Sequence, residues 1–186
     1  MAPGDGAYLE KHYDAGRRLL LVEDDTRIAR FVAKGLREQS YAVSNEDPPV
    51  YLVRTSEVAL TAFHMDETLD EKELPKKYVG MSPCFRREAG TYGKDTAGLY
   101  RIHQFDKVEQ VIVCRNDVEE SRRWHQQILQ NAEDVLQKLD LPYRVVYVCT
   151  GDLGQGQVAK YDVETWMPSR NHWGETHSAS RFYDFQ

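Results

Sequence analysis

One long helical pattern between two regions rich in β-forming residues most constrains the fold of this chain. From residue 118 to residue 139, apolar side chains recur at helical spacing on one face. They are Val118, Trp124, Ile128, Ala132, Val135, Leu136 and Leu139. A pattern typical of a helix start, Asn116-x-x-Glu119, precedes them, and Pro142 follows them. We therefore predict a helix of about six turns with one buried face.

The sequence on both sides of this helix favours β-strands. Residues 77–88 and 99–114 are rich in β-branched and aromatic side chains, and residues 89–98 between them hold three glycines. This arrangement predicts a long hairpin with a polar, mobile loop. The strands predicted after the helix are 143–149, 160–167 and 174–180. The order of elements predicts an α+β fold, with an antiparallel sheet and helices on one face.

The pattern changes near residues 45–49, where Asn-Glu-Asp-Pro-Pro interrupts any ladder of hydrogen bonds. Before this point, an apolar run at 19–22 predicts a strand, and apolar residues four apart within 26–38 predict a helix. After it, we predict a strand at Val50–Arg54 and a short helix toward His64, capped by Thr55 or Ser56. We therefore predict an N-terminal fragment, 1–49, and a second domain, 50–186.

Composition narrows the class of protein. The net charge of −6 makes the chain a poor bulk attractor of nucleic acid, so an RNA contact would be local. Cys84, Cys114 and Cys149 are odd in number and far apart, which argues against a disulfide framework or a structural zinc site. No run of 18 apolar residues occurs, and the N-terminus lacks a secretory pattern. We expect a cytoplasmic protein that does not enter a membrane.

Four side chains of the predicted hairpin suit the binding of a nucleotide and an amine. Arg86 and Glu88 are two residues apart and face the same side of a strand, where Arg86 suits a phosphate or carboxylate. Glu88 suits a purine amino group, Phe105 suits stacking on a base, and Glu109 suits an ammonium group. A surface hairpin with cross-strand Arg–Glu pairs is the alternative interpretation.

The hairpin also carries a recognisable signature. Residues 85–109, FRREAGTYGKDTAGLYRIHQFDKVE, resemble the second signature motif of class II aminoacyl-tRNA synthetases, and of the seryl enzymes in particular. Thr55-Ser56-Glu57 resembles their serine-binding loop, T-[AS]-E. Segments 149–154, 161–168 and 184–186 resemble motifs that follow in the same family, in the same order. The resemblance thus covers residues 50–186.

The resemblance implies a role for each matched residue. Thr55, Ser56 and Glu57 would bind L-serine, and Glu109 would bind its ammonium or hydroxyl group. Arg86 would act as the catalytic residue, because it would contact both the serine carboxylate and the α-phosphate of ATP.

The implied ATP site includes further residues. Arg87 would lie at the ATP site beside Arg86, Glu88 would hold the adenine amino group, and Phe105 would stack on the adenine. Glu175, Thr176, His177 and Ser178 stand where the family has E-[VI]-[ST]-S, a segment that contacts ATP. Within that segment, Glu175 and Ser178 would bind Mg²⁺.

The implied reaction is attack by the serine carboxylate on the α-phosphate of ATP, followed by transfer of serine to tRNA(Ser). Catalysis would rest on positioning and on charge neutralisation by arginines and Mg²⁺. The loop Gly90–Gly98 would meet the acceptor end of tRNA, and the family implies a homodimer. A ligase of the same fold that loads an amino acid onto a carrier protein is an alternative.

The chain departs from the family pattern in three ways. It stops at Gln186, before the last signature motif, and it lacks the sustained heptads of the tRNA-binding arm. His177 stands in place of a small hydroxyl residue, where an imidazole beside the phosphates could block Mg²⁺, and Arg181 stands in place of asparagine. We expect this chain by itself to be weak or inactive as a ligase.

Residues 17–43 show a second resemblance, to the opening of a response-regulator receiver domain. Asp24 and Asp25 match the acidic pair that binds Mg²⁺ at the end of its first strand. The phosphoacceptor aspartate has no counterpart here. A fusion of fragments is one interpretation, and a stand-in for the synthetases' first motif is another. A non-catalytic signalling module built on this segment is the third functional hypothesis.

Overall fold

The computed structural model describes residues 40–43, 50–88, 98, 100–154 and 156–183. These residues form two compact units. Unit 1 holds the described residues up to Thr68 together with those of Lys77–Val111, and unit 2 holds Leu69–Lys76 and the described residues from Ile112 onward. The strand and helix predicted within 1–38, and the motif at 184–186, lie outside the described residues.

Unit 1 is built around the predicted hairpin. Strand β1 is Lys76–Phe85 and strand β2 is Gln104–Val113, and the two pair in a two-stranded sheet. Just beyond the strand ends, Arg86 N donates to His103 O at 2.9 Å, so the end of β1 lies beside the start of β2. The pair is therefore antiparallel, and the prediction of a hairpin is confirmed.

The short helix predicted before the hairpin is also present. Helix α1, Glu57–Thr61, continues as a 3₁₀ turn at Ala62–His64. The strand predicted at Val50–Arg54 is wrong, because only Tyr51 forms a single antiparallel bridge, with Ala42. The backbone of this run bonds to residues 41–43 through Val50 and Leu52 and to Phe85 N through Val53 O, so its hydrogen bonds go to two segments and do not form one ladder.

A glycine of β1 lets α1 approach the strand closely. A Cβ atom built at Gly80 would lie 3.0 Å from Leu60 Cδ1 and 3.1 Å from Ser56 Oγ. Both distances are shorter than ordinary van der Waals contact. The absence of a side chain at this position therefore fixes where the turn before α1 can lie.

Unit 2 contains the long helix that periodicity predicts. Helix α2 is Val118–Lys138, and its N-cap is Asp117, whose Oδ1 accepts from Glu120 N at 2.7 Å. The predicted start at Asn116 is therefore one residue too early. Glu120 is instead bonded to Arg115, from Arg115 Nε to Glu120 Oε2 at 2.6 Å. The capping carboxylate suits the positive end of the helix dipole.

Three antiparallel strands follow α2 and pack against it. They are β3, Tyr143–Tyr147, β4, Gln157–Met167, and β5, His172–Phe182, in the order β3-β4-β5. The core consists of Leu129, Leu136, Val163 and Ala179, with Ile128, Tyr143 and Tyr161 packed against it. One face of the sheet thus meets α2, and the prediction of an α+β fold is confirmed. Of the helices that the structure describes, none is long and apolar enough to cross a membrane.

The buried face of α2 is narrower than predicted. Ala132 and Leu136 are buried as expected, whereas Val118, Val135 and Leu139 are 42%, 49% and 61% exposed. The buried residues of α2 are Glu120, His125, Leu129, Ala132 and Leu136, so burial reaches from the first turn almost to the last but leaves out Val118, Val135 and Leu139.

Candidate functional site

Unit 1 brings together four side chains that the hairpin and the preceding turn supply. We call Thr55, Glu57, Lys107 and Glu109 the carboxylate cluster. The Thr55 hydroxyl is its centre: it donates to Glu109 Oε2 at 3.0 Å and accepts from Lys107 Nζ at 3.1 Å. It also accepts from the backbone N–H of Glu57 at 3.2 Å. Lys107 Nζ lies 2.5 Å from Glu109 Oε2.

The electrostatics of the cluster favour a further positive group. Burial raises the pKa of the Glu57 carboxyl, and the negative charge of Glu109 raises it further. Lys107 and Arg86 act in the opposite direction on the same pKa. Two carboxylates therefore share one nearby ammonium group, and a second cation or a hydroxyl donor would lower the cost of their charge.

The other serine-loop residue, Ser56, is placed differently. Its Oγ is buried near Gly80 and has no hydrogen-bond partner among the described residues. Its position at the N-cap of α1 is confirmed, but its side chain does not cap the helix. The predicted serine-binding set thus meets at Thr55, Glu57 and Glu109, whereas the Ser56 hydroxyl lies against the strand.

Arg86 and Arg54 give unit 1 a second, positively charged cluster. The Arg86 guanidinium carbon lies 5.1 Å from the centroid of the Phe105 ring, a cation–π contact. Its Nε is buried and has no hydrogen-bond partner in the described part of the chain. Burial lowers the pKa of Arg54, and the charge of Arg86 lowers it further, while Glu88 opposes the change. Two arginines held this close suit an anion such as a phosphate or a carboxylate.

Glu88 occupies a strained backbone position. Its φ of 49° lies in the left-handed region, which non-glycine residues rarely adopt. Its Oε2 accepts from Arg101 Nη1 at 2.8 Å, so the carboxylate is held toward the returning chain. The neighbouring Arg87 is exposed. The structure thus places Arg86, Glu88 and Phe105 together at the base of the hairpin loop.

The remaining predicted site residues lie on β5 of unit 2. Across β4, Glu175 pairs with Glu164 and Ser178 pairs with Asp162. His177 pairs with Val163, which belongs to the core under α2. Residues directly opposite each other in an antiparallel pair share a face. Glu175 and Ser178 therefore face away from α2, and His177 faces toward it.

This arrangement depends on a bulge in β5. One step along β4, from Val163 to Glu164, corresponds to two steps along β5, from His177 to Glu175, so Thr176 is the extra residue. Its hydroxyl contacts Thr165 Oγ1 at 2.8 Å, on the α2 side of the sheet. By this register, Thr176 and His177 point away from the face that carries Glu175 and Ser178. Burial lowers the pKa of His177, which favours a neutral imidazole there.

Several polar residues beside the predicted set were not assigned roles from the sequence. Lys107 sits two residues before Glu109, and this strand spacing was the signal that could have identified it. On the face that carries Glu175, Arg144 Nε lies 2.5 Å from Glu164 Oε2, and Lys160 Nζ lies 3.0 Å from Asp162 Oδ2. These alternating charges mark a polar sheet face that patterning alone also suggests.

Comparison with known proteins identifies the family. The family described as tRNA synthetase class II core domain (G, H, P, S and T) matches residues 41–186. The chain is 50% identical over 165 residues to serine–tRNA ligase of Pyrococcus abyssi. The matched region covers 86% of this chain and 35% of that relative. It is 48% identical over 146 residues to serine–tRNA ligase of Korarchaeum cryptofilum, covering 78% of this chain and 31% of that relative.

Solved structures agree with this assignment. Seryl-tRNA synthetase from Pyrococcus horikoshii, complexed with ATP, has a TM-score of 0.72 and 50% identity, over 81% of this chain and 34% of that one. Cytoplasmic serine–tRNA ligase from Naegleria fowleri, in complex with AMP, has a TM-score of 0.72 and 40% identity, over 78% and 34% of the two chains. The chain spans about a third of the length of these relatives.

The sequence resemblance to the seryl enzymes is thereby confirmed, and so is its extent over only part of their length. The α+β fold, the β1–β2 hairpin and the matched motifs all agree with the class II tRNA synthetases. This chain belongs to the family of class II tRNA synthetase core domains, and its relatives named here are seryl enzymes.

Proposed function

We propose that this chain is part of the catalytic domain of a serine–tRNA ligase, which activates L-serine with ATP and transfers it to tRNA(Ser). The observation that carries the proposal is the carboxylate cluster, where one hydroxyl joins Glu109, Lys107 and the backbone of Glu57. Its chemistry matches a small substrate that carries an ammonium and a hydroxyl group. The relatives at about 50% identity support the same substrate.

Serine would bind with its ammonium group near Glu57 and Glu109. The raised pKa of Glu57 supports this placement, because an arriving cation would offset the burial of the carboxylate and its repulsion by Glu109. The serine hydroxyl would exchange hydrogen bonds with Thr55 or Glu109. Arg86 would bind the serine carboxylate and hold it toward the α-phosphate.

ATP would lie along the base of the hairpin loop. Arg86 would hold the α-phosphate, Phe105 would stack on the adenine, and Glu88 would accept from the adenine amino group, with Arg87 nearby. Stacking on Phe105 requires the adenine to share the ring with the Arg86 guanidinium or to take its opposite face. These residues position the reacting groups and neutralise charge, and no proton-transfer residue is needed for the attack.

Mg²⁺ would bind with ATP at Glu175 and Ser178. Their shared face supports this, as does the oxygen chemistry that Mg²⁺ prefers. Among the residues that the structure describes, no group of three or more His, Cys, Asp and Glu could hold a metal by itself. Mg²⁺ in nucleotide sites commonly takes one or two carboxylates and fills its remaining positions with phosphates and water. The metal would neutralise phosphate charge.

The remaining features of the proposal rest on the family. The acceptor end of tRNA would approach the hairpin loop, and the complete enzyme would be a homodimer in the cytoplasm. The three cysteines are unpaired thiols, which fits a reducing compartment. The division of the chain at 1–49 and 50–186, and the receiver-like origin of the first part, stay predictions.

Two measurements on the purified chain test the proposal. The first is binding of a non-hydrolysable seryl-adenylate analogue, with the threonyl and glycyl analogues as controls. We expect the seryl analogue to bind at least about tenfold more tightly. The second is serine-dependent exchange of pyrophosphate into ATP. Equal binding of all three analogues would contradict the proposal, and loading of a carrier protein but not of tRNA would favour the alternative ligase.

A further inference from the structure

The bulge in β5 is tied to β4 by two threonine hydroxyl groups. Thr176 Oγ1 donates to the carbonyl of Val163 at 3.3 Å and lies 2.8 Å from Thr165 Oγ1. Because the Thr176 proton goes to Val163, the hydroxyl of Thr165 donates to Thr176. His177 Nδ1 lies 3.0 Å from the same Thr176 oxygen. The extra residue is thus bonded to the strand at the step where the register shifts.

The bulge decides which side chains share a face. Residues three apart on a regular strand point to opposite sides of a sheet. Glu175 and Ser178 are three apart, yet both lie opposite residues of the face away from α2, namely Glu164 and Asp162. Without the extra residue, one of the two would turn toward the core. The position of Thr176 is therefore what allows Glu175 and Ser178 to act together.

We propose that Thr165 and Thr176 form a pair of positioning residues that hold this bulge and keep Glu175 and Ser178 on one face. The inference rests on the proposed function, because it concerns how the proposed Mg²⁺–ATP site is assembled. Neither threonine touches the metal or the nucleotide. Both act through the backbone register of β5.

The burial of Thr165 makes the two hydroxyl groups interdependent. Thr165 is 7% exposed, so removing the hydroxyl of Thr176 leaves a buried polar group without this bond. Replacing both hydroxyls by methyl groups removes the same bond and leaves no unsatisfied hydroxyl at Thr165, so the losses from the two substitutions should not add.

A double-mutant cycle tests the pair through Mg²⁺-dependent nucleotide binding. The variants are Thr176→Val, Thr165→Val and the double variant, and the Kd for ATP is measured by calorimetry with and without Mg²⁺. We expect the increase in ATP affinity caused by Mg²⁺ to be about fivefold smaller in each single variant than in the parent chain. A factor of this size corresponds to the loss of one hydrogen bond. Metal-free ATP affinity should stay within about twofold, and the double variant should lose no more than the more affected single variant, because both substitutions remove the same bond. Additive losses in the double variant would overturn the pairing.

A second readout decides the proposal even if nucleotide binding fails. Cross-strand NMR contacts between the α-protons of Asp162 and Ser178 report the register directly. We expect them to weaken in Thr176→Val and in the double variant, and unchanged contacts in the single variant would overturn the positioning role. Glu175→Gln serves as the control for the metal. If this variant keeps the full effect of Mg²⁺, or if the parent chain shows none, the proposed metal site is wrong, while the register measurement still tests the threonine pair.

Discussion

The hydroxyl of Thr55 should contribute more to the free energy of unfolding than the hydroxyl of an ordinary surface threonine. It makes three hydrogen bonds of 3.0 to 3.2 Å, two of them to the charged groups of Glu109 and Lys107. The substitution Thr55→Val keeps the β-branched shape and removes only the hydroxyl. Thr55→Ser keeps the hydroxyl and removes a methyl group, so the two variants form a matched pair.

The size of the effect follows from these partners. A hydrogen bond to a charged group contributes about 1.5–3 kcal/mol when it is well shielded from water. The side chain of Lys107 is 31% exposed and that of Glu109 is 15% exposed, and their direct contact at 2.5 Å does not involve the Thr55 hydroxyl. We therefore expect Thr55→Val to lower the free energy of unfolding by about 1–2 kcal/mol, from the lower end of that range.

The effect on serine should be larger than the effect on stability. Loss of the Thr55 hydroxyl removes a possible substrate contact and also the bond that orients Glu109, so we expect affinity for the seryl-adenylate analogue to fall about tenfold to one hundredfold. Urea denaturation and calorimetry measure the two quantities, and Thr55→Ser should stay within about threefold of the parent in affinity. A valine variant with unchanged stability and unchanged affinity would refute the reasoning.

Three further predictions concern other parts of the two units. Because folding raises the pKa of Glu57, the Glu57 carboxyl keeps its proton to a higher pH in the folded chain than in the unfolded chain. Stability therefore falls as pH rises from the pKa of Glu57 in the unfolded chain to its pKa in the folded chain. Glu57→Gln should remove this fall and be the more stable form at neutral pH, as urea denaturation between about pH 4 and pH 8 would measure. Gly80→Ala should destabilise by about 1–2 kcal/mol through the close contact with Leu60, whereas Gly151→Ala, whose nearest neighbour would be 4.0 Å away, should change thermal stability little. Asp117→Ala should cost about 1 kcal/mol by removing the N-cap of α2, and Asp117→Asn should restore most of it; an alanine variant as stable as the parent would exclude the cap.

Local sequence patterns predicted the elements that depend on local physics. Helical spacing predicted α2, and β-branched residues around a glycine-rich loop predicted the β1–β2 hairpin. The predictions fail where contact with a distant segment of the chain determines the local structure or the burial of a residue. The run Val50–Arg54 has strand-like composition, but its backbone hydrogen bonds go to two different segments, at residues 41–43 and at Phe85. Val135 has helical spacing but is 49% exposed.

The candidate site was predicted in part for a similar reason. Motif resemblance identified Thr55 and Glu109, which are 54 residues apart in the chain, and the structure brings their side chains into hydrogen bond. It did not identify Lys107, whose importance lies in reaching both of them. The expectation that the His177 imidazole lies beside the phosphates, where it could block Mg²⁺, came from its place in the motif, whereas the pairing of His177 with Val163 turns the imidazole toward α2.

The sequence by itself determined the chemical groups and the order of elements, because residue types, periodicity and motifs are written along the chain. Tertiary structure alone decided which groups share a face. The face on which a strand residue lies depends on cumulative register, and one extra residue at Thr176 reverses every assignment beyond it. Such a bulge is held by a contact between two strands, Thr165 to Thr176, and no local pattern in either strand specifies it.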